Sequence, residues 1–326
     1  MNKVVLSGVR PTGKQHLGHW IGTLSNWIKL QQEYECFFMV ADWHALMSEY
    51  RDPSHIREYS FDNVCEWLSY GIDPQRCVIF EQSKVPAHLE LFLILSYITP
   101  LGWLSRCPTF KEQIKQLKDR DINTYAFLGY PVLQSSDILL YKANFVPVGE
   151  DQLPHLELCR EIARRFHHIY KKKCFVEPKP LLTSVARLAG LDGRKMSKSY
   201  ENYIALDEED SVIEKKILSM ITDPARKIKT DKGHPDICNV FAYYTIFKEE
   251  DKERVRRLCM SAGRGCKECK KILADSFKSF IGPRREKKKE LLRKKDYIRD
   301  ILKEGNKKAN AVASGTLEEV KAAMKI

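Results

Sequence analysis

The first half of the chain alternates short apolar runs with longer stretches of helical spacing. Apolar runs at residues 3–7, 35–42 and 77–82 have the length and side chains of buried strands. Between them, residues 18–34 and 54–71 repeat apolar side chains at the three- and four-residue spacing of amphipathic helices. This alternation predicts an α/β fold with a parallel sheet and helices on both faces, which binds ligands beyond the carboxyl ends of its strands.

The chain after about residue 205 has a different pattern, without further strands. It is expected to be helical except for a glycine-rich break at residues 261–269, and a last amphipathic helix is expected to begin at Thr316. The predicted fold is therefore a sheet-containing domain followed by an all-helical region. In the first part, further helices are expected near residues 109–119, 124–141 and 152–170, and a strand at 144–149.

Positive charge is concentrated in one segment of the C-terminal half. Residues Lys252–Lys308 contain 21 Lys and Arg against 8 Asp and Glu, a net charge of +13, whereas the whole 326-residue chain has +12. A nearly neutral body with one strongly basic segment favours a phosphate-rich partner such as a nucleic acid. The alternative is a solvated helical face that binds no ligand.

No part of the sequence predicts a membrane span or a secretory signal. The longest uncharged run, residues 91–105, contains Pro100 and Gly102 and is shorter than the ~20 residues that cross a bilayer. The apolar stretch at the N-terminus is too short for a signal peptide. We therefore expect no membrane association and a cytoplasmic location, in which the ten cysteines are reduced thiols or metal ligands.

Two histidines follow the first predicted strand. The strand leads into a glycine–proline turn and then into a helix that opens with the residues H-L-G-H, which include His16, Gly18 and His19. Two imidazoles at this place can donate hydrogen bonds to a phosphate, and Gly18 leaves room for a flat base. The alternative is that the histidines only cap the helix.

A second polar motif, GRKMSKSY, occupies residues 193–200. Its lysines, Lys195 and Lys198, offer positive charge, and Ser197 offers a hydroxyl donor, so the stretch is suited to clamp a polyphosphate. A solvated surface loop is the alternative.

Together, H-L-G-H and K-M-S-K-S resemble the two signatures of class I aminoacyl-tRNA synthetases. Residues 129–152 resemble the tryptophan-site segment of the tryptophanyl-tRNA synthetases, and the similarity extends over nearly the whole chain. The resemblance implies a homodimer that activates tryptophan with ATP and Mg²⁺ and transfers it to tRNA(Trp). Two alternatives stay open: a tyrosyl-tRNA synthetase, which shares the fold and both motifs, and a synthetase-like RNA-binding protein without catalysis.

The resemblance also implies a domain organisation. A Rossmann-type domain that binds ATP and tryptophan is expected over residues 1–190, and the lysine–serine loop over residues 191–205. A helical domain that binds the tRNA anticodon is expected over residues 206–300. The last segment, residues 301–326, is expected to be a helix that packs back onto the first domain.

A polar face of one predicted helix carries the specificity residues. Tyr130, Gln134 and Asp137 are spaced i, i+4, i+7 and so share a helical face, which is unusual next to a sheet unless the face lines a pocket. An indole N–H only donates, so a carboxylate is a suitable acceptor. By resemblance, Asp137 accepts the indole proton, and Tyr130 and Gln152 hold the ammonium group. The other tryptophan-site residues that the resemblance implies are Gln134, Leu6, Val146, Val148 and His44, the last with a core histidine as an equal alternative.

The resemblance assigns the remaining roles to residues of the two motifs and of nearby loops. Three sequence differences affect substrate contacts: H-L-G-H replaces the T-x-G-N of many relatives, Arg10 replaces a glutamine, and Leu6 replaces an aromatic residue. The implied catalytic residues are His16, His19, Lys195, Lys198 and Lys111, the last with an exposed lysine as a close alternative. The implied ATP-binding residues are Arg10, Thr12, Gly18, His19, Gly149, Asp151, Lys195, Met196, Ser197 and Lys198.

Four cysteines, Cys238, Cys259, Cys266 and Cys269, form the pattern C-x20-C-x6-C-x2-C. Four thiolates are a donor set for zinc or for a [4Fe–4S] cluster. Nearby cations such as Arg264 are expected to lower the thiol pKa values. The spacing resembles the iron–sulfur site of a subset of bacterial tryptophanyl-tRNA synthetases, which favours the [4Fe–4S] cluster over zinc and a structural or tRNA-facing role.

Overall fold

The computed structural model describes residues 3–105, 124–182, 188–197 and 200–326. Within them the chain forms a five-stranded sheet, and the predicted helix at 109–119 lies outside the described residues. The strands in chain order are β1 (Val4–Val9), β2 (Glu35–Val40), β3 (Cys77–Glu81), β4 (Phe145–Val148) and β5 (Lys179–Leu182).

The sheet confirms the predicted fold class. Its order is β3-β2-β1-β4-β5, and every neighbouring pair is parallel. The sequence pattern does not predict β5, because a four-residue edge strand that begins with Lys179 and Pro180 has neither the length nor the composition of a typical strand.

The helices occupy most of the rest of the described chain. A π-helical segment, Trp20–Leu24, interrupts the helix that the sequence predicts over residues 18–34. Within the described residues, no helix is both long enough and apolar enough to cross a membrane. The α-helices in chain order are α1 (Leu17–His19), α2 (Ser25–Leu30), α3 (Asp42–Glu49), α4 (Ile56–Tyr70), α5 (Ala87–Ile98), α6 (Leu101–Ser105), α7 (Tyr125–Leu140), α8 (Leu153–Tyr170), α9 (Asp210–Ser219), α10 (Asn239–Phe247), α11 (Lys252–Met260), α12 (Cys266–Arg293) and α13 (Lys295–Met324).

The chain divides into two compact units, and neither is continuous in sequence. The first unit consists of Met1–Lys14, Ser25–Ser184 and Lys294–Ile326, and the second of Gln15–Leu24 and Val185–Arg293. The segment with H-L-G-H thus belongs to the same unit as the K-M-S-K-S region. The functional boundaries of the predicted domains stay a prediction.

The core of the first unit lies on the parallel sheet. Five of the six residues of β2 are buried, as expected for a central strand with helices on both faces. Phe37 of β2 and Phe80 of β3 pack with Tyr141, which follows α7. Helix α5 packs on α7, and α7 packs on α8. The helix that carries Tyr130, Gln134 and Asp137 is therefore held by two neighbouring helices.

Helix α13 packs on β3 and on α5 within the first unit. It is one continuous helix, so the expected helix start at Thr316 is wrong: Thr316 is buried inside it. The reason is that one apolar face continues through this position, at Ala309, Ala313, Leu317 and Val320, all of them buried.

The second unit contains α9 to α12 and the short N-terminal segment. Helix α9 packs on α12. Two cations on α12 hold the start of α9 and the segment before it: Arg285 Nη1 lies 2.8 Å from Oδ1 of Asp210, the first residue of α9, and Lys288 Nζ lies 3.0 Å from Asp207 Oδ2. Lys288 is only 2% exposed, so its ammonium depends on this carboxylate to offset the loss of hydration.

A close backbone contact explains a glycine in α13 and generates a prediction. A Cβ atom on Gly305 would lie 1.7 Å from the carbonyl oxygen of Ile79 in β3. We expect Gly305→Ala to lower the free energy of unfolding by about 2–3 kcal/mol, because the helix must move away from the strand. The matched control is Gly315→Ala on the same helix, where a Cβ meets no atom within 4 Å.

Urea denaturation of both variants measures these free energies. Gly315→Ala should be neutral or stabilising by up to about 1 kcal/mol, since alanine favours the helix. An equal effect of the two substitutions would contradict the packing of α13 on β3.

Candidate active site

The two histidines of H-L-G-H form a capping box at the start of their helix, in which each side chain accepts a hydrogen bond from a backbone N–H. His16 Nδ1 accepts a hydrogen bond from the Gly18 N–H at 3.1 Å, and His19 Nδ1 accepts one from the His16 N–H at 3.1 Å. The two rings are 4.0 Å apart between centroids. Because Nδ1 is an acceptor in both, each neutral ring carries its proton on Nε2. The caps therefore leave both histidines in the tautomer that presents an Nε2–H donor.

The two motifs meet within the second unit. The Leu17 N–H donates to the Ile204 carbonyl at 3.0 Å, and the Leu206 N–H donates to the Gln15 carbonyl at 3.0 Å. The sulfur of Met196 lies 3.5 Å from the position that a Cβ atom on Gly18 would occupy. These backbone bonds join the histidine segment to the end of the lysine–serine loop, at Ile204, and to Leu206 directly after it.

Asn202 organises the loop that carries Lys195. Its side-chain N–H groups donate to Asp192 Oδ1 at 2.7 Å and to the Lys195 carbonyl at 3.1 Å, and its Oδ1 accepts from the Ser197 N–H at 2.8 Å. Asn202 is buried, whereas Lys195 is exposed. Asn202 is not predicted from the sequence, because a single asparagine among polar residues has no pattern of its own. Lys198 and Lys111 lie outside the described residues.

A buried carboxylate, Asp137, lies near the C-terminal end of α7. Its Oδ2 is 2.8 Å from His44 Nε2, and its Oδ1 is 2.6 Å from His88 Nδ1 and 2.8 Å from Gln82 Nε2. Burial alone would raise the pKa of Asp137, but the hydrogen bonds from His44 and His88 outweigh it and lower this pKa to about 2. Asp137 is therefore ionised at neutral pH and acts as an acceptor.

His44 is among the residues predicted near this site, whereas His88, Gln82 and Tyr141 are not predicted from the sequence. His88 Nε2 lies 2.9 Å from the Tyr141 hydroxyl oxygen, and His88 and Gln82 are fully buried. His88 could not be predicted because it lies in the apolar run that begins α5, and its partner Asp137 is 49 residues away in the sequence. Helical spacing marks such a position as core.

A further histidine, His155, joins the two residues that are predicted to hold the ammonium group. His155 Nε2 lies 2.7 Å from the Tyr130 hydroxyl, and His155 Nδ1 lies 2.9 Å from Gln152 Oε1. Burial lowers the pKa of His155 to about 4, so this ring is neutral at pH 7. Tyr130 and Gln152 are thus linked through one neutral imidazole, which the sequence analysis also missed.

The remaining predicted residues take several environments. Leu6, Val146 and Val148 are buried strand residues in the core of the first unit. Gln134 is half-buried on α7. Gly149 precedes the 3₁₀ turn Glu150–Gln152, where Asp151 Oδ2 accepts from Gln152 Nε2 at 3.2 Å. In the turn after β1, the Thr12 N–H donates to the Arg10 carbonyl at 2.9 Å.

The four cysteines converge at the ends of three helices in the second unit. Cys238 precedes α10, Cys259 lies in the last turn of α11, and Cys266 and Cys269 lie in the first turn of α12. All four line one small cavity of about 20 Å³. Within the described part of the chain, no three candidate ligand side chains already form the geometry of a single-metal site.

The electrostatics of this cavity differ from the expectation in one respect. Burial is the main cause that raises the pKa of all three of these cysteines, Cys238, Cys259 and Cys269. The pKa of Cys269 rises to about 11. For Cys259, repulsion from the other thiols is a second, smaller cause. The expected lowering is therefore wrong for these three cysteines, because desolvation outweighs the nearby cations. Arg264 also lines the cavity, and its buried Nε and Nη1 have no hydrogen-bond partner among the described residues.

Comparisons with known proteins agree with this arrangement. The family model of class I tRNA synthetases for tryptophan and tyrosine matches residues 2–282. A tryptophan–tRNA ligase from Thermotoga maritima is 48% identical over 325 residues, which cover 99% of each chain. The chain belongs to the tryptophan–tRNA ligases. This confirms the resemblance to class I aminoacyl-tRNA synthetases that the two motifs indicate.

Solved structures show the same relationship for this ligase family. The crystal structure of the Campylobacter jejuni tryptophanyl-tRNA synthetase complexed with ADP and tryptophan has a TM-score of 0.89 and 31% identity, and the match covers 99% of this chain and 100% of that one. A tyrosyl-tRNA synthetase from Archaeoglobus fulgidus, complexed with L-tyrosine, has a TM-score of 0.69 and 21% identity over 88% of this chain and 90% of its own. The second match shows a shared fold alone.

The contacts of Asn202 generate a prediction for the lysine–serine loop. Asn202→Ala removes three hydrogen bonds that fix the backbone around Lys195 and Ser197. We expect kcat for tryptophan-dependent ATP–pyrophosphate exchange to fall by about tenfold, since the loop is no longer held in one geometry.

The KM for tryptophan should stay within about twofold, because separate hydrogen bonds hold the residues around Asp137. Asn310→Ala, an exposed substitution on α13, is the matched control. An unchanged kcat in Asn202→Ala would show that Asn202 does not position the loop.

Proposed function

We infer that this chain activates tryptophan with ATP to form tryptophanyl-adenylate and then transfers the tryptophanyl group to tRNA(Trp). The observation that carries this inference is the buried, ionised Asp137, an acceptor for a donor-only indole N–H. The whole-length similarity to tryptophan–tRNA ligases supports the same substrate. A site for the ammonium group is supported by Tyr130 and Gln152, which His155 links.

In the first step, a carboxylate oxygen of tryptophan attacks the α-phosphorus of ATP. The bond from this phosphorus to the oxygen that bridges to the β-phosphate breaks, and pyrophosphate leaves. No covalent enzyme intermediate is needed, so the protein contributes position and charge stabilisation. We assign the Nε2–H groups of His16 and His19 and the ammonium of Lys195 to the phosphate oxygens. Lys198 and Lys111 keep the same predicted role.

In the second step, a terminal ribose hydroxyl of tRNA attacks the carbonyl carbon of the adenylate, and AMP leaves. Mg²⁺ enters with ATP as part of the substrate and shares the charge of the phosphates. Arg10, Thr12, Gly149 and Asp151 stay predicted contacts of the nucleotide.

The basic segment Lys252–Lys308 is proposed to contact the tRNA. It covers α11, α12 and the first part of α13, and its net charge of +13 is suited to a polyanion. This charge pattern supports a role in binding the anticodon end, as the family resemblance implies. A cytoplasmic location is part of the same proposal.

A homodimer is the proposed assembly. Helix α5 presents an apolar stripe at four-residue spacing, with Leu89, Leu93 and Tyr97 all exposed. Leu101 and Tyr125, which are 69% and 70% exposed, add apolar surface on the same unit. Exposed large apolar side chains are enriched at protein–protein interfaces, and a second copy of the chain is the partner that the family resemblance implies.

A test of the substrate compares tryptophan with tyrosine in ATP–pyrophosphate exchange. We expect exchange with tryptophan and a value of kcat/KM for tyrosine at least about a hundredfold lower.

Asp137→Asn should raise the KM for tryptophan by about 10- to 100-fold and leave the KM for ATP unchanged, since an amide cannot accept all of the donors around it.

Asp300→Asn, an exposed substitution on α13, serves as the control. Exchange that tyrosine drives better than tryptophan would favour a tyrosyl-tRNA synthetase. Absence of exchange with both amino acids, in a protein that still binds tRNA, would favour the non-catalytic RNA-binding alternative.

The four cysteines are proposed to hold a [4Fe–4S] cluster, with zinc as the alternative. All four line one cavity together with Arg264, whose guanidinium is suited to balance a negatively charged metal–thiolate group and whose Nε also lies 3.7 Å from Glu268 Oε1. A zinc ion needs its four sulfurs about 2.3 Å from one point, whereas a cluster spreads its ligands over four irons. The cysteine spacing, by resemblance, supports the cluster, and the small cavity supports zinc.

Metal analysis of anaerobically purified protein distinguishes the two. For a cluster we expect about four iron and four sulfide per chain, with broad visible absorbance. Cys269→Ala should lose the metal, whereas Cys174→Ala, which alters a cysteine outside this group, should keep it. One zinc per chain without colour would support the alternative, and a metal-free folded protein would contradict both.

A further inference from the structure

A chain of three buried side chains leads to the predicted indole acceptor. The Tyr141 hydroxyl lies 2.9 Å from His88 Nε2, and His88 Nδ1 lies 2.6 Å from Asp137 Oδ1. All three residues are at most 2% exposed. Two of them, His88 and Tyr141, have no role in the steps described above, although a buried polar group without a function is expensive to keep.

The hydrogen bonds assign the direction of each proton. Asp137 is ionised and can only accept, so His88 Nδ1 donates to it. With Nδ1 as the donor, Nε2 is left to accept from the Tyr141 hydroxyl, 2.9 Å away. Burial raises the pKa of Tyr141 well above its usual value, so this hydroxyl keeps its proton and donates it. One tautomer of His88 therefore satisfies both of its neighbours.

The two oxygens of Asp137 are occupied unequally. Oδ1 accepts from His88 and from Gln82 Nε2, which uses both of its lone pairs. Among the described residues, His44 alone donates to Oδ2, which leaves this oxygen one further acceptor position. The side chain of His44 is 12% exposed, whereas that of His88 is completely buried. The open side of the network is thus the side of Oδ2.

We propose that His88 is a positioning residue for tryptophan recognition: with Gln82 it fixes Oδ1 of Asp137, so that Oδ2 is directed to the indole N–H of the substrate. The proposal rests on the proposed function, because it assumes that tryptophan binds at Asp137. His88 does not touch the substrate. It acts by holding the carboxylate in one rotamer, a restraint that Tyr141 extends by fixing the His88 tautomer.

The test pairs two variants with two amino acids. His88→Asn keeps an amide N–H near the position of Nδ1. His88→Gln places its amide near the position of Nε2, where the amide oxygen can accept from Tyr141, and loses the donor to Asp137. Exchange is measured with tryptophan and with an analogue in which the sulfur of a benzothiophene replaces the indole N–H. The analogue has the shape of tryptophan and no donor for Asp137.

The ratio of kcat/KM for tryptophan to that for the analogue is the decisive quantity. We expect His88→Gln to lower this ratio by about tenfold, through a higher KM for tryptophan, with the KM for ATP within about twofold of wild type. His88→Asn should keep the ratio within about threefold of wild type. An unchanged ratio in His88→Gln, with both substrates weakened equally, would show that His88 only fills space and would overturn the proposal.

A measurement on the wild-type protein covers the case in which a variant does not fold. Histidine labelled with ¹⁵N reports by NMR which ring nitrogen carries the proton. We expect a slowly exchanging proton on Nδ1 of His88, with Nε2 unprotonated, both with and without tryptophan. A proton on Nε2 alone would overturn the proposal. Absence of tryptophan-dependent exchange in the wild type would instead contradict the proposed function and is a separate outcome.

Discussion

The negative charge of Asp137 is the constraint on which the substrate half of the molecule depends. A carboxylate with 2% of its residue surface exposed is stable only if donors replace its lost hydration. His44, His88 and Gln82 provide these donors from α3, α5 and the turn after β3. The packing of α5 on α7 and the attachment of α13 to α5 and β3 keep these elements in register around one charge.

Histidine serves this chain in several ways that depend on which nitrogen carries the proton. His16 and His19 accept from the backbone through Nδ1 and present Nε2–H, whereas His88 donates through Nδ1 to a carboxylate. His155 stays neutral because it is buried, and it bridges a tyrosine and a glutamine. In each case the partner of one nitrogen fixes the chemistry of the other.

The sequence predicted what depends on local pattern and missed what depends on distant contact. Strand–helix alternation was sufficient for the parallel sheet, and the spacing of Tyr130 and Asp137 was sufficient to place both on α7. His88 and Asn202 were missed, since their partners come from other segments and their own surroundings look ordinary. The expected helix start at Thr316 was wrong for a related reason: the face that packs on the first unit continues past it, and burial outweighs the local signal of Gly315 and Thr316.

The interleaved units have a consequence for synthesis on the ribosome. Gln15–Leu24 leaves the ribosome early, but its backbone partners at Ile204 and Leu206 are made about 180 residues later, a delay of roughly ten seconds or more at ordinary elongation rates. The first unit has to wait even longer, because Lys294–Ile326 supplies the helix that covers β3. The second unit can therefore be completed only after Arg293 has been made, and the first unit only after Lys294–Ile326 has followed. Until then, β3 lacks the helix that covers it, and the histidine segment lacks its backbone partners at Ile204 and Leu206. We therefore expect the folding of the nascent chain to depend on the rate of translation and on chaperones more than the folding of a protein whose domains follow one another in sequence.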